Sequence, residues 1–151
     1  MKRIIALLCA LALLLSMPVY AEEVQKTEIS ADHVTAQAGQ SVDVPIRIAG
    51  NTGMLGAKIS IQYGEGLTLT AVKAGEAFSN LTMTKPGKLS ANPVSIVWDG
   101  IDGPAAQDGV IAVLTFQAPD KAGSYAVNLS CQASAMVDED LKGVPVALTG
   151  G

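Results

Sequence analysis

The chain has 151 residues, and its 14 acidic side chains outnumber its 10 basic ones, which gives a net charge of −4 at pH 7. The basic residues are scattered singly, whereas proteins that bind nucleic acid carry clustered Lys and Arg that replace counterions on the phosphates. One His and two Cys are too few for a typical His/Cys zinc site. The composition therefore excludes a nucleic-acid partner and a zinc enzyme of that kind.

Residues 1–21 have the pattern of a secretory signal peptide. Lys2 and Arg3 form a basic start, residues 4–17 are apolar, and residues 19–21 form a small-x-small cleavage site. The apolar run is short for a membrane span, and no later stretch reaches 18 uninterrupted apolar residues. We therefore expect a secreted, extracellular protein with a single domain over residues 22–151. Cys9 leaves with the signal peptide, so Cys131 has no partner for an intramolecular disulfide.

The remainder of the chain reads as short strands separated by turns. Apolar residues alternate with polar ones at Val42, Val44, Ile46 and Ile48, and again from residue 57 to residue 63. Turn residues punctuate the chain about every ten residues, the spacing typical of a β-sandwich or barrel. Only residues 75–80 and 133–141 have a pattern compatible with a helical turn. Nine strands are predicted, over residues 28–37, 42–48, 57–63, 67–72, 81–84, 94–98, 110–117, 124–132 and 144–149.

Three details of the strand pattern predict where particular residues lie in the sandwich. Residues 110–117 are apolar on both faces, which predicts a central strand. Pro45 cannot donate a ladder hydrogen bond, so it is expected at an edge or a bulge. Trp98 is interpreted as a core anchor, although a shift of the strand register by one residue would turn it outward.

Four segments of this pattern resemble a cohesin domain: AGQSVDVPIRIAG, GMLGAKISIQYGEGLTLTAVKAG, VSIVWDGIDGPAAQDGVIAVLTFQA and GVPVALTGG. The resemblance covers residues 29–151. It implies an all-β fold, a nine-stranded antiparallel β-sandwich with jelly-roll topology. It also implies a monomeric, non-catalytic module that binds dockerin domains of polysaccharide-degrading enzymes or scaffold proteins, in an assembly of the cellulosome type. Calcium is expected in the dockerin partner, and no cofactor is expected in this chain.

The resemblance places the dockerin site on the outward residues of one sheet. The expected contact residues are Gly56, Lys58, Ser60, Leu81, Met83, Val97 and Asp99. Many cohesins carry an Asn or Asp pair on the third strand, where this chain has Gly56 and Lys58. Lys58 would favour an acidic or carbonyl-rich helix end of the partner.

The residues offer little for catalysis. His33 is expected in the first strand among apolar neighbours, without a Ser or Cys motif to serve as a nucleophile. Carboxylates at Asp99, Asp102, Asp108 and residues 138–140 lie in predicted short loops with no insertion that would form a groove. The spacing of the run 138–140 does not match a calcium loop, so a solvated turn is favoured over a metal site.

Direct binding of plant polysaccharide is the alternative function. Carbohydrate-binding modules with related sandwiches stack sugar rings on exposed aromatic side chains. The strand alternation directs Tyr63, Trp98, Phe116 and Tyr125 toward a core or a covered face, and leaves only Phe78 unassigned. Trp98 would become a sugar platform only if its strand were shifted by one residue. No membrane partner is expected.

Overall fold

The computed structural model describes residues 26–101, 103–132 and 134–151. The predicted signal peptide, residues 1–21, lies outside this part of the chain, as does Asp102. The described residues form strands β1 (Thr27–Ala31), β2 (Ser41–Ala49), β3 (Gly56–Tyr63), β4 (Thr68–Ala74), β5 (Thr82–Thr84), β6 (Val94–Asp99), β7 (Gly109–Gln117), β8 (Val127–Ser130), β9 (Met136–Val137) and β10 (Val146–Thr149), and one 3₁₀ turn, η1 (Glu76–Phe78).

The strands form two facing sheets. Sheet 1 has the order β10-β1-β2-β7-β4, and sheet 2 has the order β5-β6-β3-β8, with β9 paired to the other end of β3. The predicted all-β sandwich is confirmed, but the described residues contain ten strands instead of nine. The pairing is antiparallel except between β1 and β10, which run parallel. This parallel pair brings the last strand beside the first one.

The alternation in β2 and β3 sets the core between the sheets. Val44, Ile46 and Ile48 of β2 are buried, and so are the alternate residues of β3 that begin at Ala57. Side chains of a strand point alternately to its two faces, so the same periodicity puts the polar residues outside. The largest fully buried side chains are Trp98, Phe78, Phe116, Ile29, Ile46, Ile48, Met54, Ile59, Ile61, Ile96, Ile111 and Leu114.

The prediction of a central strand over residues 110–117 is confirmed. β7 pairs with β2 on one side and with β4 on the other. Pro45 lies in β2, which is inside sheet 1, and a register shift follows directly between Ile46 and Arg47. The expected bulge is therefore present next to Pro45, while an edge position is wrong. β1 ends at Ala31, so the missing N–H falls where the ladder to β1 stops.

Three segments differ from the prediction by more than one or two residues at a strand end, and in two of them, residues 28–37 and 124–132, the predicted strand continues where pairing ends. The first strand ends at Ala31, so His33 is exposed in the following segment, and its expected place in a strand is wrong. Within residues 133–141, whose pattern is also compatible with a helical turn, β9 forms a two-residue pairing with Gly56 and Ala57. The predicted strand over residues 124–132 contains only β8. The helical turn compatible with the pattern of residues 75–80 is present as η1.

Candidate functional site

The outer face of sheet 2 follows from the alternation of β3. Its buried residues face sheet 1, so the residues between them point away from the core. Residues directly opposite each other on paired strands share a face, which extends the assignment to the neighbouring strands. The outer face of sheet 2 consists of Gly56, Lys58, Ser60 and Gln62 of β3, Thr82 and Thr84 of β5, Ser95, Val97 and Asp99 of β6, Asn128 and Ser130 of β8, and Val137 of β9.

Five of the seven predicted site residues lie together on this face. Gly56 is opposite Asp99, and Lys58 is opposite Val97. Ser60 is the next outward residue of β3 after Lys58. The placement of these five side chains on one face is as expected, and their contact with a partner stays a prediction.

The outward placement expected for Leu81 and Met83 is wrong. Leu81 is only 6% exposed and precedes β5, with its N–H donating to the carbonyl of Phe78. Met83 lies opposite Trp98 and packs against the core. Thr82 and Thr84 take the outer face instead. The signal was in the sequence, because alternation of Leu and Met with Thr indicates that the apolar pair faces inward.

The outer faces of the two sheets differ in their internal hydrogen bonds. On sheet 1, side chains pair with each other: Arg47 with Asp32 at 2.8 Å, Thr115 with Asp43 at 2.6 Å, and Thr149 with Glu28 at 3.0 Å. On sheet 2, among the described residues, no hydrogen bond joins two outer-face side chains, and the one bond from an outer-face side chain runs from Ser130 Oγ to the backbone carbonyl of Ser60 at 3.4 Å. Apart from Ser130, the polar side chains of this face can therefore bond a partner without breaking hydrogen bonds within the chain.

The outer face of sheet 2 is almost free of charge although the chain is acidic. Lys58 and Asp99 are exposed and are its two charged residues. Val97 and Val137 are half-buried, and neither packs against the core. Small hydroxyl side chains surround them. A mostly neutral surface with aliphatic contacts and polar groups around them matches the composition of a protein interface, whose centre is depleted in charge.

The aromatic side chains do not form a surface platform in the part of the chain that the structure describes. Tyr63, Phe78, Trp98 and Phe116 are buried, and Tyr125 is half-buried. Phe78 therefore joins the core, where its ring meets the edge of Trp98 at 5.6 Å between centroids. Trp98 is in the core as expected, so its alternative placement as a sugar platform is wrong.

The structure shows the surroundings of Cys131 and of the acidic run at residues 138–140. Burial raises the pKa of the Cys131 thiol, which lowers its thiolate fraction at neutral pH. Asp138 closes a turn, because its carboxylate accepts hydrogen bonds from the backbone N–H groups of Asp140 and Lys142 at 3.0 and 2.8 Å. Within residues 26–101, 103–132 and 134–151, no three His, Cys, Asp or Glu residues are grouped in a way that could hold a metal ion.

A cleft of about 740 Å³ opens at the end of the sandwich where β3 finishes. It lies between the segments 32–38 and 118–126, and Phe116 and Val127 of the core form part of its wall. His33 and Tyr125 line it near the surface. The cleft shares no lining residue with the outer face of sheet 2, and among the described residues no hydrogen bond joins His33 to a hydroxyl group of the lining.

The chain thus combines a two-sheet sandwich with one outer face whose polar side chains, Ser130 excepted, make no hydrogen bonds among the described residues. The family model for the cohesin domain matches residues 27–151. The chain belongs to the cohesin domain family. No curated protein matches it. None of the helices in the described residues is both long and apolar enough to cross a bilayer.

Solved structures of cohesins share the fold at low sequence identity. A non-cellulosomal cohesin of the archaeon Archaeoglobus fulgidus has a TM-score of 0.72 and 22% identity, covering 83% of this chain and 88% of its own. The sixth scaffoldin B cohesin of Acetivibrio cellulolyticus, in complex with a mutant Cel5 dockerin, has a TM-score of 0.71 and 24% identity, with 83% and 96% covered. The third ScaC cohesin of that organism, solved with a ScaB dockerin mutated in its C-terminal helix, has a TM-score of 0.64 and 17% identity, with 83% and 95% covered.

Proposed function

We propose that this chain is a secreted, non-catalytic cohesin that binds a dockerin-bearing protein through the outer face of sheet 2. Membership of the cohesin family supports the partner class, and related cohesins have been solved in complex with dockerins. Secretion rests on the signal-peptide pattern of residues 1–21. The calcium requirement is assigned to the dockerin and not to this chain.

The choice of face rests on the contrast between the two sheets. Three pairs of side chains on the outer face of sheet 1 already bond each other, and exchange of those bonds for bonds to a partner would bring little gain. The outer face of sheet 2 has Lys58, Asp99 and several hydroxyl groups without such bonds, next to the aliphatic side chain of Val97. Polar groups that need partners around apolar contact area give both affinity and selection.

The partner is proposed to belong to plant-polysaccharide breakdown, as an enzyme or a scaffold protein that carries a dockerin. The resemblance of this chain to scaffoldin cohesins supports this class of partner. The archaeal relative is described as non-cellulosomal, so the assembly itself needs a direct test.

Capture from the secreted proteins of the source organism tests the proposal. Residues 22–151 are immobilised and incubated with the secretome, once with calcium and once with a chelator, and the retained proteins are identified. We expect proteins with dockerin modules to be retained with calcium and lost with the chelator. Retention of the chain on insoluble polysaccharide, together with no dockerin-bearing protein captured, would contradict the proposal.

A further inference from the structure

Two strongly exposed aliphatic side chains flank one end of the outer face of sheet 2. Ile101 is 90% exposed and Leu141 is 72% exposed, and Val34, at 42%, is the third exposed large aliphatic residue in the described part of the chain. Ile101 follows β6 by two residues, and Leu141 lies in the turn after β9. Both segments leave strands that pair with β3 at Gly56.

Hydrogen bonds beyond Gly56 show that the segments after β6 and after β9 both leave sheet 2 at the first residue of β3. Gly56 lies between Asp99 of β6 and Val137 of β9. The ladder continues by one residue on each side, since the N–H of Leu55 donates to the Val137 carbonyl and the N–H of Gly100 donates to the Leu55 carbonyl. β6 and β9 lie on opposite sides of β3, and two strand spacings place them about 10 Å apart.

Leu141 occupies a backbone conformation that leucine rarely adopts. Its φ is +59°, the one positive value at a non-glycine position among the described residues. Gly or Asn is preferred in this left-handed region because a Cβ crowds the following carbonyl. The turn holds Leu141 firmly, with its N–H donating to the Asp138 carbonyl at 3.0 Å.

Folding stability gives no reason for leucine at this position. The side chain is exposed, so it gains little burial, and its backbone conformation is unfavourable. An unfavourable backbone conformation that brings no gain in folding stability supports a functional hypothesis for the residue. Ile101 is exposed in the same way at the other side of Gly56, and hence the two residues call for a common explanation.

We propose that Ile101 and Leu141 are the apolar anchors that contact a helix of the dockerin partner at the Gly56 end of the outer face. This inference rests on the proposed function. A helix that crosses the strands and presents aliphatic side chains at positions i and i+7 spaces them about 10.5 Å apart, which matches the separation of β6 and β9. Glu139 is exposed beside Leu141 and favours a basic residue next to the partner's aliphatic pair, whereas the carboxylate of Asp140 accepts a hydrogen bond from Lys142 Nζ at 2.8 Å within the chain.

The arrangement divides the interface between two kinds of contact. The anchors supply apolar surface that is buried away from water on binding. The hydroxyl groups of the outer face supply directional hydrogen bonds. Gly56 has no side chain, so no side-chain atoms project from β3 at this position between the two anchors. A Cβ there would lie 3.2 Å from Val137 Cγ2, which is a tight contact.

The test uses Ile101→Ser and Leu141→Asn, with Val34→Ser as the matched control at the opposite end of the sandwich. The probe is the recombinant, calcium-loaded dockerin identified by the capture experiment, and its affinity is measured by calorimetry. Each anchor variant is expected to lower the affinity by roughly tenfold to a hundredfold, the loss for one buried aliphatic side chain. Val34→Ser should bind as the unchanged chain does.

Urea unfolding separates binding from folding. Leu141→Asn is expected to keep or raise the urea midpoint while it weakens binding, because Asn tolerates the left-handed conformation. If both anchor variants bind dockerin as tightly as the unchanged chain does, Ile101 and Leu141 are not anchors, and the proposed function is unaffected. Failure of the unchanged chain to capture any dockerin would overturn the proposed function and the anchors with it. A dimer in sedimentation velocity that both variants dissociate would assign the two residues to self-association and would also overturn the inference.

Discussion

Replacement of Trp98 by alanine is expected to destabilise the domain by about 3 to 5 kcal/mol. The indole is 1% exposed and meets the Phe78 ring edge-on at 5.6 Å. A buried aromatic removes roughly 150 to 250 Å² from water, which at about 25 cal/mol per Å² corresponds to roughly 4 to 6 kcal/mol. Against this, Trp98 Nε1 has no acceptor among the described residues, and alanine removes the cost of that buried donor, about 1 to 3 kcal/mol. The difference is roughly 1 to 5 kcal/mol, and the cavity that the indole leaves behind moves the expected loss to the upper part of this range.

Trp98→Phe is the matched variant, because it keeps an aromatic ring beside Phe78 and removes only the indole N–H and part of the volume. We expect it to lose less than half of the free energy lost by Trp98→Ala. Unfolding in urea, followed by circular dichroism, measures both. Trp98 is the sole tryptophan of the chain, so resistance of its fluorescence to acrylamide reports the burial directly. A Trp98→Ala variant as stable as the unchanged chain, with fluorescence that acrylamide quenches freely, would refute the inward register of β6.

Three further predictions concern the fold and its titrating groups. Gly75→Ala should unfold or strongly destabilise the domain, because a Cβ would lie 2.1 Å from the Val110 carbonyl oxygen, whereas Gly87→Ala meets nothing within 4 Å and should be neutral in the same urea titration. Burial raises the pKa of Tyr63, so the folded state keeps this proton to higher pH than the unfolded chain does. The free energy of unfolding should therefore fall as pH rises above about 10, and Tyr63→Phe should make that fall shallower; equal slopes would contradict this cause. Burial also raises the pKa of the Cys131 thiol, so iodoacetamide at pH 8 should alkylate it more slowly in the native protein than in urea, and equal rates would refute its protection.

The sequence was informative where strands are long and one of their faces is buried. β2 and β3 alternate over nine and eight residues, which fixes their inner and outer faces without any knowledge of their partners. The same alternation assigns Gly56, Lys58 and Ser60 to one surface. β6 follows by pairing, and this places Val97 and Asp99 beside them.

Short elements could not be predicted because tertiary pairing, not local pattern, creates them. β9 has two residues and exists through its bonds to the start of β3. β5 has three residues, and the chain enters it from η1 through the bond between Leu81 and Phe78. The start of β5 therefore differs by one residue from the predicted start, whereas the inward direction of Leu81 and Met83 is indicated by their alternation with Thr. The exposed Ile101 and Leu141 lie in turns, where alternation carries no information about which way a side chain points.

Calorimetry with the captured, calcium-loaded dockerin against Val97→Asp and Val113→Asp tests the central claim most directly. Val97 lies on the outer face of sheet 2, and Val113 lies half-buried on the outer face of sheet 1, opposite Pro45 and Lys73. An unpaired charge buried in an interface costs about 3 to 5 kcal/mol, so Val97→Asp is expected to weaken binding by roughly a hundredfold or more. Val113→Asp should bind as the unchanged chain does. Unchanged affinity of Val97→Asp, or a loss confined to Val113→Asp, would contradict binding through the outer face of sheet 2.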